Sequence, residues 1–81
     1  RLIACANILP ITSVYCWQSE VKRDDEVVSL LKTNKETLPE LQNTIEALHP
    51  YQIPCILWWH AQANEAFEQW IDAQVKPASL P

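Results

Sequence analysis

The 81-residue chain is long enough for one domain and lies near the lower limit of what a single core can stabilise. Its 48% hydrophobic content excludes a disordered tail. Its formal net charge is -4, with six Lys and Arg scattered among ten acidic residues, which argues against a nucleic-acid partner. No apolar run approaches the ~18 residues of a transmembrane helix, so we expect no membrane association.

The three cysteines, Cys5, Cys16 and Cys55, are odd in number and form no CxxC pair. This usage is typical of a reducing compartment, in which thiols serve as small apolar residues, and it predicts a cytoplasmic protein. The chain contains no Gly, where average usage predicts roughly five or six. The absence of Gly excludes the glycine-rich loops that bind phosphate or dinucleotides.

The first third of the chain has the pattern of a hairpin. Residues 2–18 alternate as one long strand with a bend or edge position at Pro10, and small apolar residues on both faces predict two-sided burial at its start. Polar residues 18–25 predict a hairpin loop, with extension of the strands into it as the alternative, and residues 26–33 predict a second strand. Lys32 shares a face with apolar residues, which fits either a snorkelling lysine at the sheet margin or a ligand contact.

The remainder predicts two helices separated by another sheet segment. Thr37 and Glu40 form a capping-box pattern before an apolar stripe that predicts a helix over 38–48. Residues 51–60 alternate like a strand, and Asn64 is the expected N-cap of a helix that ends near residue 75. The order of elements predicts an α+β domain over residues 1–76, with helices on one face of the sheet, and a tail over 77–81.

The chemistry-bearing residues do not form an enzyme motif. Neither a nucleophile elbow nor a paired-carboxylate pattern is present, so we expect no enzymatic activity. His49, His60 and the three thiols are the candidate metal ligands, and imidazole with thiolate suits copper or zinc. The alternatives are a core cysteine and, for His49 before Pro50, a cap on the helix carbonyls.

Several blocks of the sequence resemble one family. The stretch from Arg1 to Tyr15 is similar to a long bent strand, residues 17–21 to a hairpin tip, and 25–27 with 31–33 to the following strand. His49-Pro50-Tyr51 followed by Ile53-Pro54 resembles the most recognisable block of the CutA divalent-cation-tolerance proteins, and residues 64–71 resemble their last helix. The resemblance runs through nearly the whole chain in the right order.

The resemblance implies a ferredoxin-like subunit in a cytoplasmic homotrimer held by strand pairing, linked to copper and divalent-cation tolerance. If this chain binds a metal, we expect His49 and Cys55 to be the ligands. The resemblance also implies a cleft between subunits, and the residues expected there are Tyr15, Trp17, Lys32 and Tyr51. The alternatives are a trimeric scaffold without metal chemistry and a small-molecule sensor of the trimeric signalling type, with Lys32 as the anion contact.

The sequence departs from the family pattern at several places. The opening strand and helix of the family have no counterpart before Arg1, so we expect a piece of a longer protein or a strand supplied from elsewhere. Cys55 stands where the family has an acidic residue, Ser19 replaces the glycine of the hairpin tip, and Ala63 replaces the one before the last helix. These departures weaken the expectation of metal binding more than that of the fold.

Overall fold

A computed structural model describes residues 1–75 as a long hairpin and two helices. The strands are β1 (Cys5–Trp17) and β2 (Glu20–Lys32), and the helices are α1 (Leu38–Leu48) and α2 (Glu65–Gln74). The two strands form an antiparallel sheet, which confirms the α+β class. The predicted tail at 77–81 lies outside the described residues.

The hairpin ladder is continuous from the Cys5–Lys32 pair to the Trp17–Glu20 pair. β2 therefore begins at Glu20, and the loop predicted over residues 18–25 is wrong for most of its length. Charged residues are tolerated in this strand because both faces of an isolated ribbon remain open to water. Pro10 fits without a register break, since each strand of a two-stranded sheet has one edge that needs no donor.

Two residues, Gln18 and Ser19, make the turn between the strands. Both have positive φ, 51° and 67°, which is the φ pattern of a type I′ turn. This turn matches the right-handed twist of the strands but favours glycine or asparagine, because a Cβ is strained in this region. Neither residue is of the favoured type, so the turn carries a conformational cost.

The hairpin has two distinct faces. Register places the odd residues of β1 and the even residues of β2 on one side, which we call the helix face. On this side the Lys32 ammonium lies 5.4 Å from the centroid of the Phe67 ring in α2, and Tyr51 reaches Glu26. The opposite side, the open face, carries Ile8, Val14, Val21 and Val27, all exposed. The contacts of the described chain thus place its helical layer on one face, as predicted.

Helix α1 has the predicted bounds but not the predicted cap. Thr37 has helical dihedrals (φ -85°, ψ -18°) and its side chain makes no capping bond, because that bond requires an extended residue. The carboxamide oxygen of Asn34 instead accepts the Thr37 N–H at 3.0 Å. Within the apolar stripe Leu41 is only 7% exposed, whereas Leu48 at the end is 77% exposed.

The segment over residues 51–60 is irregular, and the strand predicted there is wrong for the described chain. A strand needs a ladder partner for its backbone groups, and the only ladder among residues 1–75 joins β1 to β2. Pro54 also removes one donor. The large apolar residues of this segment remain exposed, namely Ile53, Leu57, Trp58 and Trp59.

Helix α2 begins after Asn64, as predicted. Asn64 is extended (φ -62°, ψ 152°), its side chain makes no capping bond, and its carbonyl accepts the N–H groups of Phe67 and Glu68 at 3.1 Å each. Val75, just beyond the helix, is 2% exposed. No helix within residues 1–75 has the length and apolar character that a bilayer span requires.

The hydrophobic core is small. Leu41 and Val75 are the only buried apolar residues in the part of the chain described. Two-sided burial at the start of β1 is not found within this single chain, because Ala6 and Ile8 are exposed. The accessible surface is 7005 Å², whereas a compact monomer of 9.3 kDa has about 5000 Å². Exposed apolar side chains on the hairpin and in residues 51–60 contribute to this larger surface.

Candidate functional site

Polar side chains gather on the helix face near the outer half of the hairpin. Ser13 pairs with Asp24 across the ladder, and Tyr15 and Glu26 lie on the same face one step away in opposite directions. The Tyr15 hydroxyl donates to the Asp24 carboxylate. The Tyr51 hydroxyl, which comes from the segment after α1, donates to Glu26 Oε2 at 2.9 Å. We call these five residues the tyrosine–carboxylate cluster.

Hydrogen bonding sets the protonation of this cluster. The bond to Asp24, with smaller effects of desolvation and nearby carboxylates, raises the pKa of Tyr15 to about 12. The bond to Glu26 likewise raises the pKa of Tyr51. Bonds from Ser13 and then Tyr51 lower the pKa of Glu26. At neutral pH the cluster therefore holds two protonated phenols, and the Glu26 carboxylate is ionised.

His49 and Tyr51 form a compact unit at the end of α1. His49 is extended (φ -72°, ψ 132°), as expected of a residue before proline, and its backbone N–H donates to Ile45 O at 2.9 Å. Its ring nitrogen Nδ1 accepts the Tyr51 N–H at 3.2 Å, and the two rings meet edge to face with centroids 4.7 Å apart. The imidazole of His49 thus accepts a hydrogen bond from the Tyr51 backbone. The alternative, in which the His49 side chain caps the helix carbonyls, does not form.

The candidate metal ligands do not converge within one chain. Among residues 1–75 no three His, Cys, Asp or Glu side chains are grouped so that they could hold a metal ion. Cys55 has a free, exposed thiol in the irregular segment. His49 and Cys55 of one described chain are therefore at most a pair of donors, fewer than the four ligands of a closed structural zinc site.

The four predicted cleft residues do not form one site in a single chain. Tyr15 and Tyr51 are joined through Asp24 and Glu26 in the tyrosine–carboxylate cluster. Lys32 lies on the same face, but ten residues along β2 from the partner of Tyr15, which is about 33 Å at ~3.3 Å per residue. Trp17 lies still further toward the turn, so the two ends of this set can share a cleft only between copies.

Sequence reasoning missed the acidic half of the cluster. It assigned Asp24 to the loop over residues 18–25, and it placed Glu26 at the start of the second strand without the register that relates this residue to Tyr15. The signal that could have found them is register. A two-residue turn at Gln18 and Ser19 places Asp24 opposite Ser13, and alternation then puts both carboxylates on the face of Tyr15.

Comparison with known proteins agrees with this fold. The profile of the family described as CutA1 divalent ion tolerance protein matches residues 1–74. The chain belongs to this family. The divalent-cation tolerance protein CutA of Thermus thermophilus is 42% identical over 73 residues, which are 88% of this chain and 71% of that protein. Proteins of the CutA1 family are named for tolerance of divalent cations and not for an enzymatic reaction.

Solved CutA structures show the same architecture. CutA1 of Pyrococcus horikoshii superposes with a TM-score of 0.87 at 35% identity, over 95% of this chain and 76% of that one. The PII-like protein CutA of Nostoc, solved in apo form, gives 0.86 at 25% identity over 91% and 74%. These likenesses confirm the ferredoxin-like fold, and they match the family resemblance that the sequence displays.

Proposed function

We propose that the chain acts as a homotrimer in tolerance of divalent cations, copper among them, and that His49 and Cys55 contact the cation. The proposal rests first on family membership, since relatives at this level of identity carry that role in their names. The observation that supports a trimer is the exposed apolar surface of the hairpin.

The exposed surface supports a trimer. The open face of the hairpin exposes Ile8, Val14, Val21 and Val27 between polar residues, and the segment over residues 51–60 adds exposed aromatic rings. An isolated two-stranded sheet is marginally stable in water at best. Obligate interfaces bury about 2000 Å² or more, which is comparable with the surplus surface of this chain. If several copies associate, pairing between sheet edges extends the two-stranded sheet. The same association buries the apolar side chains of the open face.

The donor chemistry supports a soft cation. Imidazole and thiolate favour copper and zinc over magnesium or calcium. Because no group of three donors forms among residues 1–75, a site with three or more protein ligands would draw donors from another copy, which a trimer provides.

The polar cluster supports a role without catalysis. Its hydroxyls donate to carboxylates within the cluster, and these bonds raise the pKa of Tyr15 and of Tyr51, which keeps both phenols protonated and weakly nucleophilic. We further place the protein in the cytoplasm, because its three cysteines are all free. Labelling of intact cells with an impermeant thiol reagent tests the compartment, and modification of Cys16 would contradict it.

A cation titration tests the metal contacts. Cu²⁺ and Zn²⁺ are titrated separately into the wild type, Cys55→Ser and Cys16→Ser by calorimetry, and the last variant controls for loss of an exposed thiol elsewhere. We expect binding to weaken at least tenfold in Cys55→Ser alone. Equal stoichiometry and affinity in all three proteins would remove Cys55 from the site.

A small-molecule sensor is the second candidate. Lys32 forms no ion pair within residues 1–75, and its ammonium lies over the Phe67 ring, partly withdrawn from water. The Nostoc relative is named PII-like. An anion bound between copies by Lys32 would favour this function. We then expect the affinity for that anion to fall in Lys32→Gln and to stay unchanged in the control variant Lys22→Gln.

A further inference from the structure

The hydrogen bond at His49 bears on how this residue can bind a cation. A neutral imidazole has one nitrogen that carries a proton and one that accepts. In this structure Nδ1 accepts the Tyr51 N–H at 3.2 Å. The lone pair of Nδ1 is therefore occupied, and the proton of the neutral ring lies on Nε2. In this arrangement neither nitrogen offers a free lone pair.

Tyr51 is held in place by two further contacts. Its ring packs edge-on against His49, with centroids 4.7 Å apart. Its hydroxyl donates to Glu26 Oε2 at 2.9 Å, which ties the residue to strand β2. Pro50, between the two aromatic residues, has a fixed φ and limits the freedom of the linking backbone. The His49–Tyr51 bond is thus supported from the hairpin.

We infer that the His49–Tyr51–Glu26 chain is a closed state that competes with cation binding, and that a cation reaches His49 only when the Tyr51 N–H leaves Nδ1. This inference rests on the proposed role of His49 as a cation ligand. A metal needs a nitrogen lone pair, which the ring can supply by giving up its bond from Tyr51 or by moving its proton to Nδ1. Both routes break the same hydrogen bond. Cation capture and loss of the Tyr51 N–H bond to His49 are then one event, and the hydroxyl tie of Tyr51 to Glu26 opposes it.

The direction in which Tyr51→Phe changes cation affinity distinguishes a competing closed state from a role of Tyr51 in orienting His49. If Tyr51 merely oriented His49 as a ligand, Tyr51→Phe would weaken cation binding, about 10- to 100-fold for a lost outer partner. If Tyr51 holds a competing closed state, the same change removes the tie to Glu26 and populates the open state. We expect Zn²⁺ to bind about threefold to tenfold tighter to Tyr51→Phe than to the wild type.

The control removes a comparable bond elsewhere. The Thr12 hydroxyl donates to Asp25 Oδ1 at 3.3 Å on the open face, away from His49. Thr12→Val deletes this hydroxyl-to-carboxylate bond and should leave Zn²⁺ affinity unchanged. His49→Ala removes the ligand itself and should weaken binding in the wild type and in the Tyr51→Phe background alike.

Nitrogen-15 NMR of the metal-free protein tests the closed state independently of any metal. We expect Nδ1 of His49 to show the shift of an unprotonated acceptor nitrogen, and the Tyr51 amide to exchange slowly. Added Zn²⁺ should speed exchange of that amide. A proton on Nδ1 in the metal-free protein would overturn the inference.

The two levels of proposal fail in different ways. Zn²⁺ affinity that is equal or weaker in Tyr51→Phe, while the wild type binds through His49, overturns the closed-state inference and leaves the cation site standing. No binding of Zn²⁺ to any variant overturns the cation site, and the inference with it.

Discussion

The open face of the hairpin offers the sharpest test of assembly. Ile8 is 66% exposed there, beside other exposed apolar residues. In a monomer, Ile8→Thr would change a surface residue and shift the free energy of unfolding by less than about 0.5 kcal/mol. If companion subunits cover this face, the exposed part of Ile8 becomes buried and the same substitution carries a transfer cost.

The size of that cost follows from the exposed fraction. Complete burial of an isoleucine side chain stabilises by about 1.5–3 kcal/mol, so two thirds of it corresponds to about 1–2 kcal/mol per subunit. Three copies give about 3–6 kcal/mol per trimer if the contributions add. Threonine keeps the β-branched shape and strand preference of isoleucine, so the cost reports burial and not strand propensity.

Chemical unfolding at several protein concentrations, together with sedimentation, measures this effect. Ile8→Val serves as the graded control, since loss of one partly covered methylene should cost about 0.5 kcal/mol per subunit. The unfolding midpoint of a trimer must rise with protein concentration. A compact monomer at micromolar concentration, with a midpoint independent of concentration and insensitive to Ile8→Thr, would refute the reasoning.

Two further predictions concern the turn and the cluster. Ser19→Gly should raise the unfolding midpoint, because relief of the positive φ (about 1–2 kcal/mol) exceeds the entropy that glycine adds to the unfolded chain (about 0.4–1 kcal/mol). Ser29→Gly, in the middle of β2, should lower it, and equal effects of both would contradict the assigned turn strain. The raised pKa of Tyr15, from its ordinary 10.0 to about 12, implies stability that is complete below pH 10.0 and lost as pH rises toward about 12. The tyrosinate absorbance of Tyr15, obtained by subtracting the titration of Tyr15→Phe from that of the wild type, should rise with a pKa of about 12. An ordinary phenol pKa in this difference titration would refute the hydrogen bond to Asp24.

Local patterns in the sequence determined the hairpin and both helices. Alternation over β1, the apolar stripe of α1 and the position of Asn64 before α2 each reflect short-range preferences. Such preferences depend on neighbouring side chains and backbone sterics alone, so they are visible without knowledge of the fold. The family resemblance, which rests on the His49-Pro50-Tyr51 block, could also be seen at this level.

Tertiary structure decided the features that depend on partners distant in sequence. Residues 51–60 have the composition of a strand, yet whether they form one depends on a ladder partner that the pattern cannot supply. The tie between Glu26 and Tyr51 joins residues 25 positions apart, and it could be found only once the register of the hairpin was fixed. The hydrogen bond from the Tyr51 N–H to His49 Nδ1 is local in sequence, but it depends on the extended backbone conformation of His49 at the end of α1. Composition therefore determined which groups are available, and the geometry of the ladder and of the helix end decided which of them meet.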